Sequence, residues 1–364
     1  MKIALVYDRV NKWGGAERVL LALHEIWPEA PLYTAVYSPK TAPWAKVFRV
    51  IPSFLDRFPL AKRRHEIYPW LTPLAFESFN FSDYEVVVSV TSEAAKGIIT
   101  KPKTFHLCYC LTPTRYLWSG YEDYFSSSAW RLVGLPTVSF LRAWDKMAAQ
   151  RPDEYIAISK NVQQRIKKYY GRDSEVIYPP VEVKKFQTPS TRSQTISEYF
   201  LLVSRLVPYK RIDIAIKAFN ELGLPLKIIG VGSQMRRLKK MARKNIEFLG
   251  QLTDRELLGY YQRCQAVIFP QKEDFGLVSL EVQACGRPVI AYRDGGALET
   301  VIEGKTGVFF SPQTAAALIK AIEEFKSLKG LKSEDCRKNA ERFSKEKFKK
   351  KFKKIIEERW KKAR

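Results

Sequence analysis

The sequence predicts an α/β protein built as two Rossmann-like, doubly wound parallel-sheet domains facing each other across a cleft. Three observations carry this. Short β-branched or aromatic runs alternate with longer stretches of helical period. The series breaks at Tyr178-Pro179-Pro180 and a fresh one opens after the polar stretch Gln187–Ser197, which reads as a linker. Glycine pairs follow strands and open helices in both halves, at Gly14-Gly15 and Gly295-Gly296. Such alternation gives parallel strands with helices on both faces, and ligands outside the carboxyl ends of the strands.

The expected strands of the first half are Ile3–Tyr7, Glu85–Val90, Phe105–Cys110, Tyr155–Ser159 and Val176–Tyr178. Those of the second half are Phe200–Ser204, Leu226–Gly230, Ile246–Leu249, Ala266–Pro270, Pro288–Tyr292 and Gly307–Phe310. Helices are expected at Ala16–Ile26, Lys160–Tyr170, Arg211–Leu222, Ser233–Lys244, Asp254–Arg263, Leu277–Cys285 and Thr314–Lys326. The domain boundaries follow as 1–182 and 183–343, with 344–364 a closing helix.

Composition bounds the function. With 364 residues, 46% hydrophobic and 27% charged, the chain is globular and long enough for two domains. No apolar run approaches the ~18 residues of a spanning helix, and the first apolar run ends at Asp8-Arg9, too early for a signal peptide. A cytoplasmic protein is expected. Five cysteines at irregular spacing make no disulfide framework, and Cys108-Tyr-Cys110 alone is too little for a zinc site; buried small residues are the expectation. The surplus of Lys and Arg, 62 against 38 acidic residues, gives +24 and predicts attraction to polyanions: nucleic acid, anionic lipid or phosphorylated small molecules. No zinc-finger spacing or RNA-binding aromatic motif is present, so nucleic acid is not expected as a partner.

Five segments carry chemistry. Trp13-Gly14-Gly15-Ala16-Glu17 follows the first strand; glycine admits close backbone approach and the helix start favours negative charge, although an ordinary tight turn accounts for it equally. Ser204-Arg205-Leu206-Val207-Pro208-Tyr209-Lys210-Arg211 places a guanidinium fork and an ammonium after the first strand of the second half, where a diphosphate would lie. Glu273-Asp274-Phe275-Gly276-Leu277-Val278-Ser279-Leu280-Glu281 puts one carboxylate before a helix and one inside it, with backbone amides between them. Asp294-Gly295-Gly296-Ala297 repeats the strand–glycine–helix logic. Leu107–Tyr116 ends a first-half strand, and Tyr109, Thr112, Arg115, Tyr116 and Trp118 could line a sugar or phosphate site.

In order and spacing, Gly14-Gly15, Arg205 with Lys210, and Glu273 separated by seven residues from Glu281 resemble a retaining glycosyltransferase of family 4, whose architecture is called GT-B. Arg142-Ala-Trp-Asp145 and Ile158-Ser-Lys-Asn161 through Tyr178-Pro-Pro-Val181 resemble its mannosyltransferase-like branch. The resemblance implies that Arg205 and Lys210 bind the nucleotide diphosphate and that Glu281 binds the ribose. Glu273 is then catalytic with them, beside the transferred sugar. Gly14 and Gly15 approach the diphosphate, Gly250 and Leu252 contact the base, and Phe275, Gly276 and Leu277 complete the donor site. It further implies a GDP- or UDP-sugar donor, a glycan or polyprenyl-linked acceptor in cell-surface polysaccharide assembly, and retention by front-face attack. One departure stands out: relatives often carry His where this chain has Leu111, a group thought to contact the donor sugar. No Asp-x-Asp segment is present, so neither metal nor cofactor is expected. A nucleotide-sugar epimerase of GT-B shape, or a catalytically altered homologue, remains the alternative reading.

Two segments point outside the catalytic pattern. In Asn339–Arg364, Phe343, Phe348, Phe352, Ile355, Ile356 and Trp360 recur at helical spacing, as expected of a helix packed back on the first domain. Phe54–Phe79 interleaves Lys62-Arg63-Arg64 with aromatic rings, which suits an anionic membrane face, although these rings serve equally well as core. Ala129–Trp144 is a second such candidate, in which Gly134 and Pro136 are expected to interrupt any single helix.

Overall fold

The computed structural model describes residues 1–124, 128–187, 197–328 and 330–362, with the side chains of 123–135 also outside the described set. Most of the expected linker, residues 188–196, and the first part of the 129–144 candidate therefore lie outside the description. The chain forms two units, Met1–Pro180 with Phe348–Arg364, and Val181–Lys347.

The first unit is a seven-stranded, all-parallel sheet: β1 (Ile3–Tyr7), β2 (Leu32–Thr34), β3 (Val50–Pro52), β4 (Val86–Thr91), β5 (Phe105–Cys110), β6 (Glu154–Ala157) and β7 (Glu175–Val176), in the order β3-β2-β1-β4-β5-β6-β7. Central strands β1, β4 and β5 are buried along their whole length, which is why they read as near-continuous apolar runs. Strands β2 and β3 escape the sequence reading because each is three residues long. All five cysteines are free and buried.

The second unit is a six-stranded, all-parallel sheet: β8 (Phe200–Val203), β9 (Leu226–Ile229), β10 (Ile246–Gly250), β11 (Val267–Phe269), β12 (Val289–Tyr292) and β13 (Gly307–Phe310), in the order β10-β9-β8-β11-β12-β13. Its core joins Phe200, Leu202 and Ile228 to Ile212, Ile216 and Phe219 of helix Ile212–Leu222 and to Leu318 and Ile322 of helix Ala315–Ser327.

Three expectations need correction. Pro136 lies inside a single helix, Ser128–Ala148, rather than breaking it. Proline removes one helical hydrogen bond, but Val138, Leu141, Trp144 and Ala148 beyond it are buried and hold the helix to the unit. The expected C-terminal stripe is divided: Phe343 lies in the turn between helices Ser333–Glu341 and Lys345–Lys362 and packs on Phe275, ring centroids 5.6 Å apart. Only Phe348, Phe352, Ile355 and Ile356 form the buried face of the last helix, where Phe352 meets Trp27 and Tyr109. The expected helix Ser233–Lys244 shortens to Met235–Met241.

Candidate functional site

In each sheet the strand order reverses at one place, between β1 and β4 in the first and between β8 and β11 in the second. Crevices outside the carboxyl ends of the strands at such a switch point are where open α/β sheets bind ligands. In the second unit the two loops there are those singled out in the sequence: β8 runs into Ser204–Arg211, and β11 into Pro270–Gly276.

The loops are tied together. Lys210 Nζ donates to Glu273 Oε1, forming an ion pair in which the ammonium is buried and the carboxylate half-buried. Lys210 ends a short 3-10 turn, Pro208–Lys210, and Arg211 adopts a left-handed φ of +51° before helix Ile212–Leu222 starts. Arg205 is exposed, and its guanidinium donates to the Tyr209 hydroxyl, so the second cation faces outward. Gln271 is buried, with Nε2 3.4 Å from Glu273 Oε1. Sequence reasoning did not single it out, since a lone glutamine after a strand carries no pattern.

Gly276 caps helix Leu277–Ala284 at φ +94°, a conformation that favours glycine, and no side chain caps the first turn. Phe275 is buried against Phe343. Leu277 and Gly276 are half-buried. Glu281 lies in the helix, only 3% exposed, and accepts from the Tyr261 hydroxyl at 2.9 Å. The helix is fixed by a buried polar network: Ser279 Oγ donates to Thr300 Oγ1 at 2.7 Å, and Asn339 Nδ2 donates to Gln283 Oε1 at 2.7 Å and to the Thr300 carbonyl at 2.9 Å.

The pair Gly295-Gly296 has a different use from the one its pattern suggested. Its backbone lies against the Glu273 loop: Gly296 N–H donates to the Glu273 carbonyl at 2.9 Å. A Cβ on Gly296 would stand 2.3 Å from Phe275 Cα, and one on Gly295 would stand 2.4 Å from the Glu273 carbonyl oxygen. These glycines let the third loop support the second. A glycine pair missed in the sequence does similar work: a Cβ on Gly230 would fall 1.9 Å from the Ser204 carbonyl oxygen, and one on Gly232 2.3 Å from that of Leu206. Gly250 ends β10 at φ +71°, and its carbonyl accepts from Gly230 N–H at 2.7 Å; Leu252 follows half-buried.

The first unit has its own built switch point. Asp8, at the end of β1, is buried, and its carboxylate accepts from the Thr91 hydroxyl (2.7 Å) and from the amides of Ser92 (2.7 Å), Glu93 (3.1 Å) and Ala95 (2.9 Å). Beside it Arg9 donates to Glu93, and His65 Nε2 lies 3.6 Å from the same carboxylate. Burial pushes the Glu93 carboxyl up, but Arg9 and His65 outweigh it and hold it down to about 2. Gly14 and Gly15 open helix Gly15–Ile26, where Glu17 accepts from the Tyr7 hydroxyl at 2.8 Å.

Of the first-unit residues expected near a sugar, Tyr109 is not placed to meet one. Its ring is fully buried on Phe348 and Phe352, and its hydroxyl donates to the Ile177 carbonyl at 2.9 Å. The last helix covers that face of the sheet, so Tyr109 is core. Thr112 is buried beside Arg165, while Arg115 and Tyr116 are half-buried. This segment is pinned by Asp145, which accepts from Lys96 (2.5 Å), Thr114 (2.8 Å), Trp118 (2.7 Å) and Tyr170 (2.9 Å). Leu111, half-buried, follows β5, its amide donating to the Thr91 carbonyl at 2.8 Å. No cluster of three or more metal-ligating side chains occurs among the described residues.

Residues 183–343 match the family model described as glycosyl transferases group 1. That part of the chain is similar to the group 1 glycosyl transferases. An uncharacterized glycosyltransferase of Methanocaldococcus jannaschii is 30% identical over 216 residues, 58% of each chain. The O-antigen chain mannosyltransferase C of Escherichia coli is 30% identical over 199 residues, 51% of this chain and 52% of the relative. The chain spans about half the length of the curated relatives it matches. Among solved structures, Anabaena Alr3699/HepE in complex with UDP superposes with a TM-score of 0.74 at 18% identity, covering 98% of this chain and 100% of that one. The fold is therefore α/β of the GT-B type, and the Lys210–Glu273 pair lies within the residues that match the family model.

Proposed function

We propose that the protein is a retaining glycosyltransferase that moves a hexose, of mannose type, from a nucleoside-diphosphate sugar to a glycan or lipid-linked saccharide. The observation that carries this reading is the Lys210–Glu273 pair at the β8/β11 switch point, with Arg205 exposed beside it. Breaking the anomeric C–O bond of the donor leaves negative charge on the diphosphate. Two fixed cations and the uncapped amides after Gly276 would stabilise that charge without reorganising, and preorganised charge of this kind usually does more for the rate than any other effect. Glu273, drawn to Lys210, is positioned to accept from sugar hydroxyls. The new C–O bond forms to the acceptor oxygen, and the acceptor proton leaves on the diphosphate, so no protein base and no metal is required.

The mannose-type assignment is supported by relatives such as the GDP-mannose-dependent alpha-(1-6)-phosphatidylinositol monomannoside mannosyltransferase of Mycolicibacterium smegmatis, 30% identical over 193 residues. A solved neighbour binding UDP supports a nucleotide donor. Leu111 favours one alternative, a homologue that binds the donor without transferring its sugar. Purified protein incubated with GDP-mannose, UDP-glucose and simple mannosides separates the readings. Acceptor-dependent release of nucleoside diphosphate with a new glycosidic product is the expected result. Tight donor binding without release would establish the alternative, and no binding of either nucleotide would overturn both.

A further inference from the structure

The surface of the first unit between Phe54 and Leu74 carries side chains its own fold does not use. Leu55, Ala61, Ala75 and Phe76 are core, whereas Phe54, Phe58, Leu60, Ile67, Trp70 and Leu74 are exposed. The rings form two groups: Phe54 meets Phe58 at 6.1 Å and Phe58 meets Tyr68 at 5.4 Å, while Trp70 meets Phe140 of helix Ser128–Ala148 at 5.3 Å. Phe140 is itself exposed, and so is Met147 two turns further along the same face. Arg57, Lys62, Arg63 and Arg64 are exposed among these rings. Solvent-facing apolar patches of this kind on a folded unit mark an interaction surface.

Leu60 adds an independent observation. It is 63% exposed and sits at φ +59°, ψ −5°, a left-handed conformation that a leucine adopts at a cost. The amides of Arg63 and Arg64 both bond its carbonyl, at 2.9 and 2.8 Å, so the strained residue starts the turn that presents the three basic side chains. A glycine would serve the turn better. A strained, solvent-facing leucine at the tip of a basic turn is an outlier that points to function rather than to folding.

We propose that this face docks the protein on an anionic lipid bilayer, with Leu60 and the exposed rings at head-group level and Arg57, Lys62, Arg63 and Arg64 on the lipid phosphates. Basic side chains interleaved with amphipathic rings suit the membrane interface. Four cations lie among the rings, and their charge complements anionic lipid head groups. No helix among the described residues is long and apolar enough to cross a membrane, so the contact would be peripheral and reversible.

The test is co-flotation of the full chain with vesicles of equal phosphatidylglycerol and phosphatidylcholine, against phosphatidylcholine alone, with no donor or acceptor present. Binding is expected only with the anionic lipid and is expected to fall as salt rises from about 50 to about 300 mM. Replacing Lys62, Arg63 and Arg64 together by Ser is expected to weaken it by about a hundredfold, taking about fivefold per charge. Leu60→Gly relieves the strained turn, so its melting temperature is expected to hold or rise while vesicle binding drops severalfold. Trp70→Ser is expected to weaken binding likewise. Equal binding to both vesicles, or undiminished binding by the triple variant or by Leu60→Gly, would overturn the proposal. So would a single-stranded oligonucleotide bound as tightly and lost in the same variants, which would assign the face to nucleic acid.

Discussion

Lys210 and Glu273 meet across the gap between the loops that leave β8 and β11, so a buried ammonium and a carboxylate hold the two loops of the switch point together. The contrast with Arg205, four residues from Tyr209 and exposed, separates two kinds of cation in one motif.

Substitution should expose that difference. Arg205→Ala is expected to lower transfer by about a hundredfold, the effect of losing roughly 3 kcal/mol of transition-state stabilisation, with the melting temperature unchanged. Lys210→Ala is expected to lower transfer at least as much and also to destabilise the second unit, because it removes the buried ammonium that ties the two loops together. Steady-state kinetics beside calorimetry reads both effects, and wild-type turnover in either variant would remove that cation from the mechanism.

Gly296→Ala isolates the support that one loop gives another. The glycine has φ −64°, which alanine adopts freely, so any effect comes from the methyl group 2.3 Å from Phe275 Cα. Displacement of the Glu273–Phe275 loop is expected to weaken nucleotide binding tenfold or more by titration calorimetry. Unchanged affinity would mean that the loop does not touch the nucleotide.

Chelation gives a third prediction. The sequence has no Asp-x-Asp segment, and on the proposed reading Arg205 and Lys210 would supply the neutralisation that a bridging metal would otherwise provide. Transfer is expected to persist in excess EDTA, measured as product per minute after buffer exchange. Loss of activity that Mn²⁺ or Mg²⁺ restores would contradict it.

Acid stability should report His106. It is fully buried on β5, with Ser89 Oγ 2.9 Å from Nε2. Burial, then the charges of Arg172 and Arg151, hold it down to about 3. The unfolded chain takes up this proton near pH ~6.5 while the folded one does not. This histidine therefore lowers stability progressively as pH falls from about 6.5 to about 3. His106→Gln is expected to flatten that part of the melting-temperature profile, and an identical slope in the variant would show that other groups cause it.

Phe352→Ala is expected to cost about 3–5 kcal/mol, since its ring is fully buried between Trp27, Tyr109 and Phe348. A melting temperature within a degree of wild type would show that the last helix is not held there.

The long apolar strands and the loops that follow them were legible because a parallel strand buried on both faces must be apolar, and its carboxyl end must turn. Arg205, Lys210, Glu273 and Gly276 fell in the loops that meet at the switch point for that reason. Tyr109 was misread because a strand residue beside a polar loop looks the same whether it faces a ligand or a helix that arrives from the far end of the chain. The second role of Gly295-Gly296, and the partners of Gly230 and Gly232, were invisible because they are contacts between loops distant in sequence. Leu60 fell in the basic and aromatic segment singled out at 54–79, but its left-handed backbone left no mark in the sequence.

The chain leaves the first unit at Pro180 and returns to it at Phe348. The two passages lie side by side, Val181 N–H bonding the Phe343 carbonyl and Lys345 N–H the Val181 carbonyl, both at 3.0 Å. A ribosome making this protein therefore finishes the entire second unit before it supplies the aromatic residues that close the core of the first. The amino-terminal sheet must wait, with the face around Tyr109 and Trp27 uncovered, until Phe348, Phe352 and the residues that follow them emerge. This reverses the usual amino-to-carboxyl order of domain completion, and it makes that waiting surface the part of the nascent chain most in need of a chaperone.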